Sequence, residues 1–512
     1  SRSRVHPGTG ATTPREQTNL NTAWIDASQV YGWTPSHAAW LRTFSKGKLK
    51  TSKGDLLPFN TITGEYDSPI DPTAPRMDDD QGGTKKTFVA GDRRVAEHPG
   101  TTSLHTTFLR EHNRICDQLV AQGMTNDEEI YQRARKIVGA MIQHITYSQW
   151  MESMGIQLSP YSGYKPSVQP DILNTFSAAA YRWHTMVEND IILRDNECNG
   201  VGQVQLPLRD IFFNIEIVRT YDIGVILKGL SVHRQYETDL KVAGGLRNFL
   251  AGNFGSDLVS INIQRGRDHG LPSYNDVRQY YTGTRANSFM DIAGVDSTAQ
   301  KLASIYSSPD DVDLWVGLYA EPRLAGKSIG KTVNALIVSQ FEKLRDGDYY
   351  FYKNDPELSG YLNTILSTNL DDIISRNSNA GNFQDNVFFR KFCSPEGDDL
   401  AKTPCNVISE FQGWTHIGNS SHSKYYRWNG GQLNFDDAKE LVTDMLAANL
   451  PQISNLTENN QLQGYLGGQE TWLDMVRTGN GSTSSSWRTS PVFNNDDIQV
   501  QGSSVSYFRW RS

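Results

Sequence analysis

From Leu104 the apolar positions Leu104, Phe108, Ile115 and Leu119 recur at helical spacing, with Arg110, Glu111 and Arg114 between them, and predict a helix that follows the polar stretch VAGDRRVAEHPG. DEEIYQRARKIVGAMIQHITYSQWMESM, Asp127 to Met154, has a long helical period behind an acidic first turn, which suits the positive end of a helix. PDDVDLWVGLYAE and GKTVNALIVSQFEKLRDGD read as further helices, punctuated by glycine and proline. Strands should be few and short. Beyond residue 416 the character shifts: one helix is expected over FDDAKELVTDMLAANL, then polar connections, the low-complexity run TGNGSTSSSWRTS, and a strand-like tail, VQGSSVSYFRW. The pattern predicts a mainly α domain over residues 1–416 and a C-terminal extension, residues 417–512, to which the sequence assigns no role.

Composition narrows the class. The 512 residues suffice for a large core, and 37% hydrophobic with 21% charged residues is ordinary for a globular chain. A net charge of −8 argues against nucleic acid and anionic membrane surfaces as general partners. No apolar run approaches the length of a membrane span, and no signal peptide is visible. Of the four cysteines, Cys116 lies within the predicted helix as a buried thiol, Cys393 and Cys405 flank an eleven-residue loop suited to a local disulfide, and Cys198 has no obvious partner. Glycosylation-type sequons begin at Asn419, Asn455 and Asn480, in a region rich enough in asparagine and serine to produce some by chance.

Several clusters carry chemistry. Arg94, Glu97 and His98 can converge just before the Leu104 helix, where they would polarise an oxygen substrate or bind an anionic cofactor; a solvated loop with capping charges is the competing reading. Thr22, Trp24, Asp26 and Ser28 alternate, so that hydroxyl, carbonyl and carboxylate oxygens can turn towards one hard cation. The same alternation makes Asx or Ser turns. His184 taken alone is more often structural than a ligand. Asn262 and Arg265, in a run ending Arg267-Asp268-His269-Gly270, are compatible with a salt-bridged turn.

Together, TAWIDASQVYG, AGDRRVAEHPG with LHTTFLREHNR, AAAYRWHT, SINIQRGRDHGLPSYN and LRDGDYYFYKND resemble, in order, the signature blocks of the animal haem peroxidase superfamily. The resemblance covers roughly residues 1–416. It implies haem b, with His184 as proximal iron ligand and Asn262 hydrogen-bonded to it as a tuning partner. It also implies Arg265 paired with a propionate, Arg94 as the distal arginine that polarises hydrogen peroxide, and Glu97 as the carboxylate esterified to a haem methyl. Calcium is implied at Thr22, Asp26, Ser28 and the backbone carbonyl of Trp24.

Three departures qualify it. The family's distal histidine lies upstream of the calcium loop in a His-Asp motif that this chain lacks; His6 has neither the aspartate nor a helix-like setting. The expectation is a missing or separately processed N-terminal fragment that carries the base, without which proton delivery would be crippled. His98 stands where myeloperoxidase has a methionine linked to haem through sulfur, so bromide, iodide, thiocyanate or phenols are better expected donors than chloride. Tyr181, three residues before His184, matches the radical tyrosine of cyclooxygenase and fatty-acid dioxygenase branches, and on a helix the two would share a face. The expected function is a haem peroxidase that reduces hydrogen peroxide and oxidises halide, thiocyanate or phenolic donors, in an extracellular or secretory setting. The alternatives are a fatty-acid dioxygenase using a Tyr181 radical and a non-catalytic peroxidase-like structural or adhesion protein.

Overall fold

The computed structural model describes residues 7–389 apart from 10, 11, 14, 15, 20 and 251–255, and beyond them only the backbone of residues 414–419, 424–428, 475–477 and 487–489. Contacts divide the chain into two units, Ser1–Cys393 and Ser394–Ser512, a division earlier than the residue 416 read from the pattern. In the first unit the helices that matter to the site are α1 (Ser28–Tyr31), α2 (Pro99–Ala121), α3 (Asp127–Ile145), α4 (Ile223–Val232), α5 (Leu258–Asp268), α6 (Leu314–Ala320), α7 (Lys331–Asp346) and α8 (Leu370–Asn377). Its hairpin pairs β1 (Asp190–Arg194) antiparallel to β2 (Gly200–Pro207), with an irregularity between Ile192 and Arg194. In the second unit β3 (Trp414–Asn419) pairs with β4 (Lys424–Trp428), and β5 (Met475–Arg477) with β6 (Trp487–Thr489), both antiparallel. The mainly α class with few, short strands is what the pattern predicted. The helix and the tail strand expected beyond residue 430 lie outside the described residues.

α2 starts where its sequence says it should. Pro99 takes the first helical position, and His98 caps the end by accepting from the Gly100 N–H through Nδ1 at 3.0 Å. Leu109, Ile115, Cys116 and Leu119 are buried, and the helix packs against α3, α4 and α8. Cys198, for which the sequence offered no partner, is disulfide-bonded, and Cys116 is a free, buried thiol as expected. The local bridge expected between Cys393 and Cys405 lies outside the described residues.

Glu111, placed by the pattern among charges between apolar positions, is instead wholly buried. It accepts five hydrogen bonds, from Arg114 and Arg376 (two each) and from the Asn377 amide. Burial alone would raise its pKa, but Arg114 and then Arg376 outweigh it and hold the carboxyl down to about 2. This knot ties α2 to α8.

α3 is capped by Asn126, whose side chain accepts from the Glu128 and Glu129 N–H groups. The helix expected to run unbroken to Met154 widens over Thr146–Trp150 into a π-type segment before closing at Met151–Ser153. The widened turn carries Tyr147 and Trp150. One core gathers Tyr31, Leu109, Leu119, Ile130 and Met141; a second gathers Phe176, Tyr274, Trp315, Leu336 and Phe341.

Replacing Glu111 by Gln keeps the shape and leaves two guanidinium groups without their anion. Denaturant unfolding at neutral pH should show a loss of about 3–5 kcal/mol. Because the folded pKa is depressed from 4.5 to about 2, the stability this group supplies is complete above pH 4.5 and is lost as pH falls towards 2. The variant's stability should be flatter across that window.

Candidate active site

The distal turn is positioned by backbone against backbone. Ala27, in the left-handed region at φ 61°, turns the Thr22–Ser28 loop into α1. Gly91 lies on that helix so closely that a β-carbon would collide with the Ser28 carbonyl oxygen and the Gly32 nitrogen. The Asp92 N–H donates to the Gln29 carbonyl at 3.1 Å, and the His37 ring contacts the Ala90 carbonyl at 2.8 Å. Thus the loop read for calcium carries the segment read for catalysis. Within the loop, Thr22 Oγ1 accepts from the Trp24 N–H and Asp26 Oδ1 from the Ser28 N–H, each at 3.0 Å. The alternation therefore forms the two side-chain turns that were its competing reading.

Arg94 and Glu97 converge as an ion pair at 2.6 Å. Burial opposes the Arg94 charge, but Glu97 more than offsets it and the pKa is raised. His98 does not join them, being occupied as the α2 cap, and burial pushes its pKa down to about 4. The next two histidines are scaffold. His105 Nδ1 contacts the Thr101 carbonyl, and His112 bridges the Tyr31 hydroxyl and the Gly47 carbonyl.

On the proximal side, Phe176–Ala180 is a single π-type turn ending at Tyr181, and His184–Met186 begins a separate 3₁₀ turn. Tyr181 and His184 therefore do not share a helical face, which corrects the i, i+3 expectation. α6 holds the connection between them: Tyr319 Oη donates to the Ala180 carbonyl at 3.1 Å and accepts from the Arg182 N–H at 3.3 Å, and Trp315 Nε1 donates to the Arg182 carbonyl at 3.2 Å.

α5 supplies the other partner. Asp257 caps it by accepting from the Val259 and Ser260 N–H groups, which sets Asn262 and Arg265 one turn apart on one face. The Asn262 amide lies 3.0 Å from His184 Nδ1. His184 Nε2 takes no partner among the described residues. An amide nitrogen facing Nδ1 leaves the proton on Nε2; a half-turn of the same amide puts it on Nδ1 and frees the Nε2 lone pair for a metal. The salt-bridged turn read in this run is formed by Arg267, which binds Asp313 at 2.7 and 2.9 Å, not by Asn262.

The two sides face each other across one space. Burial, then Arg94, then Arg265 lower the pKa of Arg182. Burial, then Arg182, then Arg94 hold His184 down to about 4, so its imidazole is neutral. Tyr181 is 43% accessible, yet desolvation pushes its phenol up to about 12. Three guanidinium groups, one carboxylate and a neutral imidazole within electrostatic reach of one another fit a metal-bearing group with two anionic arms. Arg182 was missed in the sequence; its place two residues before His184, with a charge in an otherwise apolar run, was the available signal.

Arg182→Gln removes one of three converging cations together with the Nε–H bond to the Ser177 carbonyl, and leaves the bonds of the Arg182 backbone to Tyr319 and Trp315. Haemin titration followed by its Soret absorption should show affinity reduced by about tenfold or more, the range of one charge-assisted contact. Unchanged affinity would exclude Arg182 from the site.

Residues 1–388 match the family described as animal haem peroxidase. Peroxidasin homolog pxn-2 of Caenorhabditis elegans is 35% identical over 72% of this chain and 30% of its own length. For Drosophila melanogaster peroxidasin the values are 39%, 66% and 23%, and for Sus scrofa thyroid peroxidase 35%, 67% and 39%. The chain thus spans well under half of these curated relatives. Among solved structures, peroxidase A of Dictyostelium discoideum superposes with a TM-score of 0.68 at 29% identity, covering 76% of this chain and 77% of that one. Fatty acid alpha-dioxygenase of Oryza sativa, solved with palmitic acid, shares the fold at a TM-score of 0.59 and 19% identity, covering 73% and 66%. The chain belongs to the animal haem peroxidase family.

Proposed function

We propose that the protein is a haem peroxidase that reduces hydrogen peroxide and oxidises bromide, iodide, thiocyanate or phenolic donors. The observation that carries this reading is the neutral His184, held at Nδ1 by Asn262 and close enough to Arg182 and Arg94 for both to lower its pKa. His184 would ligate iron through Nε2, and Arg182 with Arg265 would bind the propionates. Bound haem supplies the redox-active iron that takes the oxidising equivalents of peroxide and hands them to the donor.

The chain's own residues do the rest. Arg94 presents a guanidinium to a peroxide oxygen and stabilises charge as the O–O bond breaks. Glu97 restrains Arg94 in the ion pair, and an ester to a haem methyl requires Glu97 to leave it. Asn262 keeps the His184 ring in one orientation. His98, engaged in capping α2, offers no sulfur for a haem link, which is why chloride is the least favoured halide.

Calcium at Thr22, Trp24, Asp26 and Ser28 belongs to the same reading. Asp348 supports it: burial first and Asp26 among the lesser causes raise its pKa to about 6, so two carboxylates approach each other beside this loop. An extracellular or secretory setting is supported by the Cys198 disulfide, and among the described residues no helix is long and apolar enough to cross a membrane.

Peroxide added to the haem-loaded protein should shift the Soret band within seconds. A band that stays inert would overturn the peroxidase reading and favour a non-catalytic, haem-holding protein.

Tyr181 favours one second reading, fatty-acid oxygenation through a phenoxyl radical, because its ring stands three residues before His184, stacked on Phe176 at 4.8 Å. On that reading Tyr181→Phe abolishes oxygen uptake with a long-chain fatty acid and spares guaiacol oxidation. Lipid turnover that survives the substitution rules the radical role out.

A further inference from the structure

A file of aromatic rings leaves the proximal turn, crosses the second core and ends in the first. Trp183, which immediately precedes His184, lies 4.9 Å from Tyr181 and 5.6 Å from Trp150 between ring centroids. Trp150 lies 5.5 Å from Phe341, and Phe341 6.1 Å from Tyr147. Tyr147 is 5.5 Å from Phe351, and Phe351 is 4.6 Å from Tyr352.

The oxidisable rings along this file differ in what stands against their protons. Trp183 Nε1 is buried with no hydrogen-bond partner, and so is the hydroxyl of Tyr161, which branches from Phe351 at 4.8 Å. The Tyr147 hydroxyl donates to the Phe341 carbonyl at 3.1 Å, and a peptide carbonyl is too weak a base to keep a proton. Tyr352 is different. Its hydroxyl faces His144 Nδ1 at 3.5 Å, and both residues are buried. Burial and then Lys353 lower the pKa of His144 below that of an ordinary imidazole, against the pull of the Leu366 backbone. An oxidised phenol is a far stronger acid than the phenol itself, so a neutral imidazole at this place accepts its proton.

We propose that this file carries an oxidising equivalent from the haem cavity to Tyr352, and that Tyr352 and His144 form a buried redox pair. The proposal rests on the peroxidase reading for the source of that equivalent, haem oxidised by hydrogen peroxide. One electron leaves Tyr352 through the rings and returns the haem group by one equivalent. The phenolic proton passes to His144 Nδ1, giving a neutral phenoxyl and an imidazolium. Trp183 and Tyr147, earlier in the file, face no base that would keep a proton, so the equivalent settles at Tyr352.

The pair lies one residue beyond Phe351 and beside Tyr349 and Tyr350, which are 50% and 62% exposed. A phenolic donor too large for the cavity, such as a tyrosine on another protein, is oxidised at that surface. It gives an electron to Tyr352 and its own proton to solvent, and His144 returns the first proton to Tyr352.

Rapid-freeze electron paramagnetic resonance of the haem-loaded protein after peroxide should show a phenoxyl signal. Tyr352→Phe should abolish it and leave an indole-type signal, and His144→Leu should do the same although Tyr352 remains. Tyr147→Phe should leave it unchanged. A phenoxyl signal that persists in Tyr352→Phe or in His144→Leu overturns the proposal, and so does a Soret shift with no phenoxyl signal in the unsubstituted protein. A Soret band that peroxide does not move counts against the peroxidase reading instead. The file is then tested without peroxide by azide-radical pulse radiolysis, in which indole oxidation passes to a phenoxyl. Loss of that transfer in Tyr352→Phe supports the relay, and transfer equal to the unsubstituted protein overturns it.

Discussion

Arg182 lies close enough to Arg94 and Arg265 for their charges to repel, and the surrounding structure holds the three guanidinium groups together. Arg94, Arg182 and Arg265 come from three segments that share no secondary structure, and each is restrained by a different device. Arg94 is carried on a turn clamped to α1 through Gly91. Arg182 hangs from Tyr319 and Trp315 through its backbone. Arg265 is set by the Asp257 cap of α5. Without such restraint, like charges would swing apart into water at little cost. Their convergence favours an anionic guest, and on the proposed reading the neutral His184 beside them is what would hold its metal.

The helices were legible because they need only local information. Apolar spacing, Pro99 after a capping residue, and the acidic start of α3 all act within one or two turns. The candidate residues were legible through the resemblance, since neither composition nor periodicity distinguishes His184 from a structural histidine. What stayed hidden depends on residues far apart in sequence. Glu111 reads as a solvated helix charge until Arg376 and Asn377 arrive to pair it. Tyr181 and His184 look like helical neighbours because nothing local announces that Tyr319 breaks the backbone course between them. Arg182 is visible as a charge, but its meaning requires Arg94 and Arg265. Cys198 lacks a partner within any sequence window and has one in space.

The widened turn at Thr146–Trp150 belongs to both themes. A π-type turn rotates the following side chains relative to an ordinary helix. Here it sets Trp150 against Trp183 and Tyr181 while Tyr147 reaches Phe341 and Phe351. An unbroken α-helix, as the periodicity suggested, would place those two rings a turn apart in a different relation to the proximal segment. The segment where the helix departs from its pattern is therefore the one that touches the site.

The Glu111 knot also has a bearing on how the chain is made. Arg376 is 265 residues downstream of the carboxylate it neutralises. At ribosomal rates that distance takes tens of seconds to synthesise, and through that interval α2 carries a charge with no finished place to bury it. α2 cannot lock against α8 until α8 has emerged. A nascent chain of this design must wait, partly open, and α2 reaches its finished packing late in synthesis rather than as it leaves the ribosome.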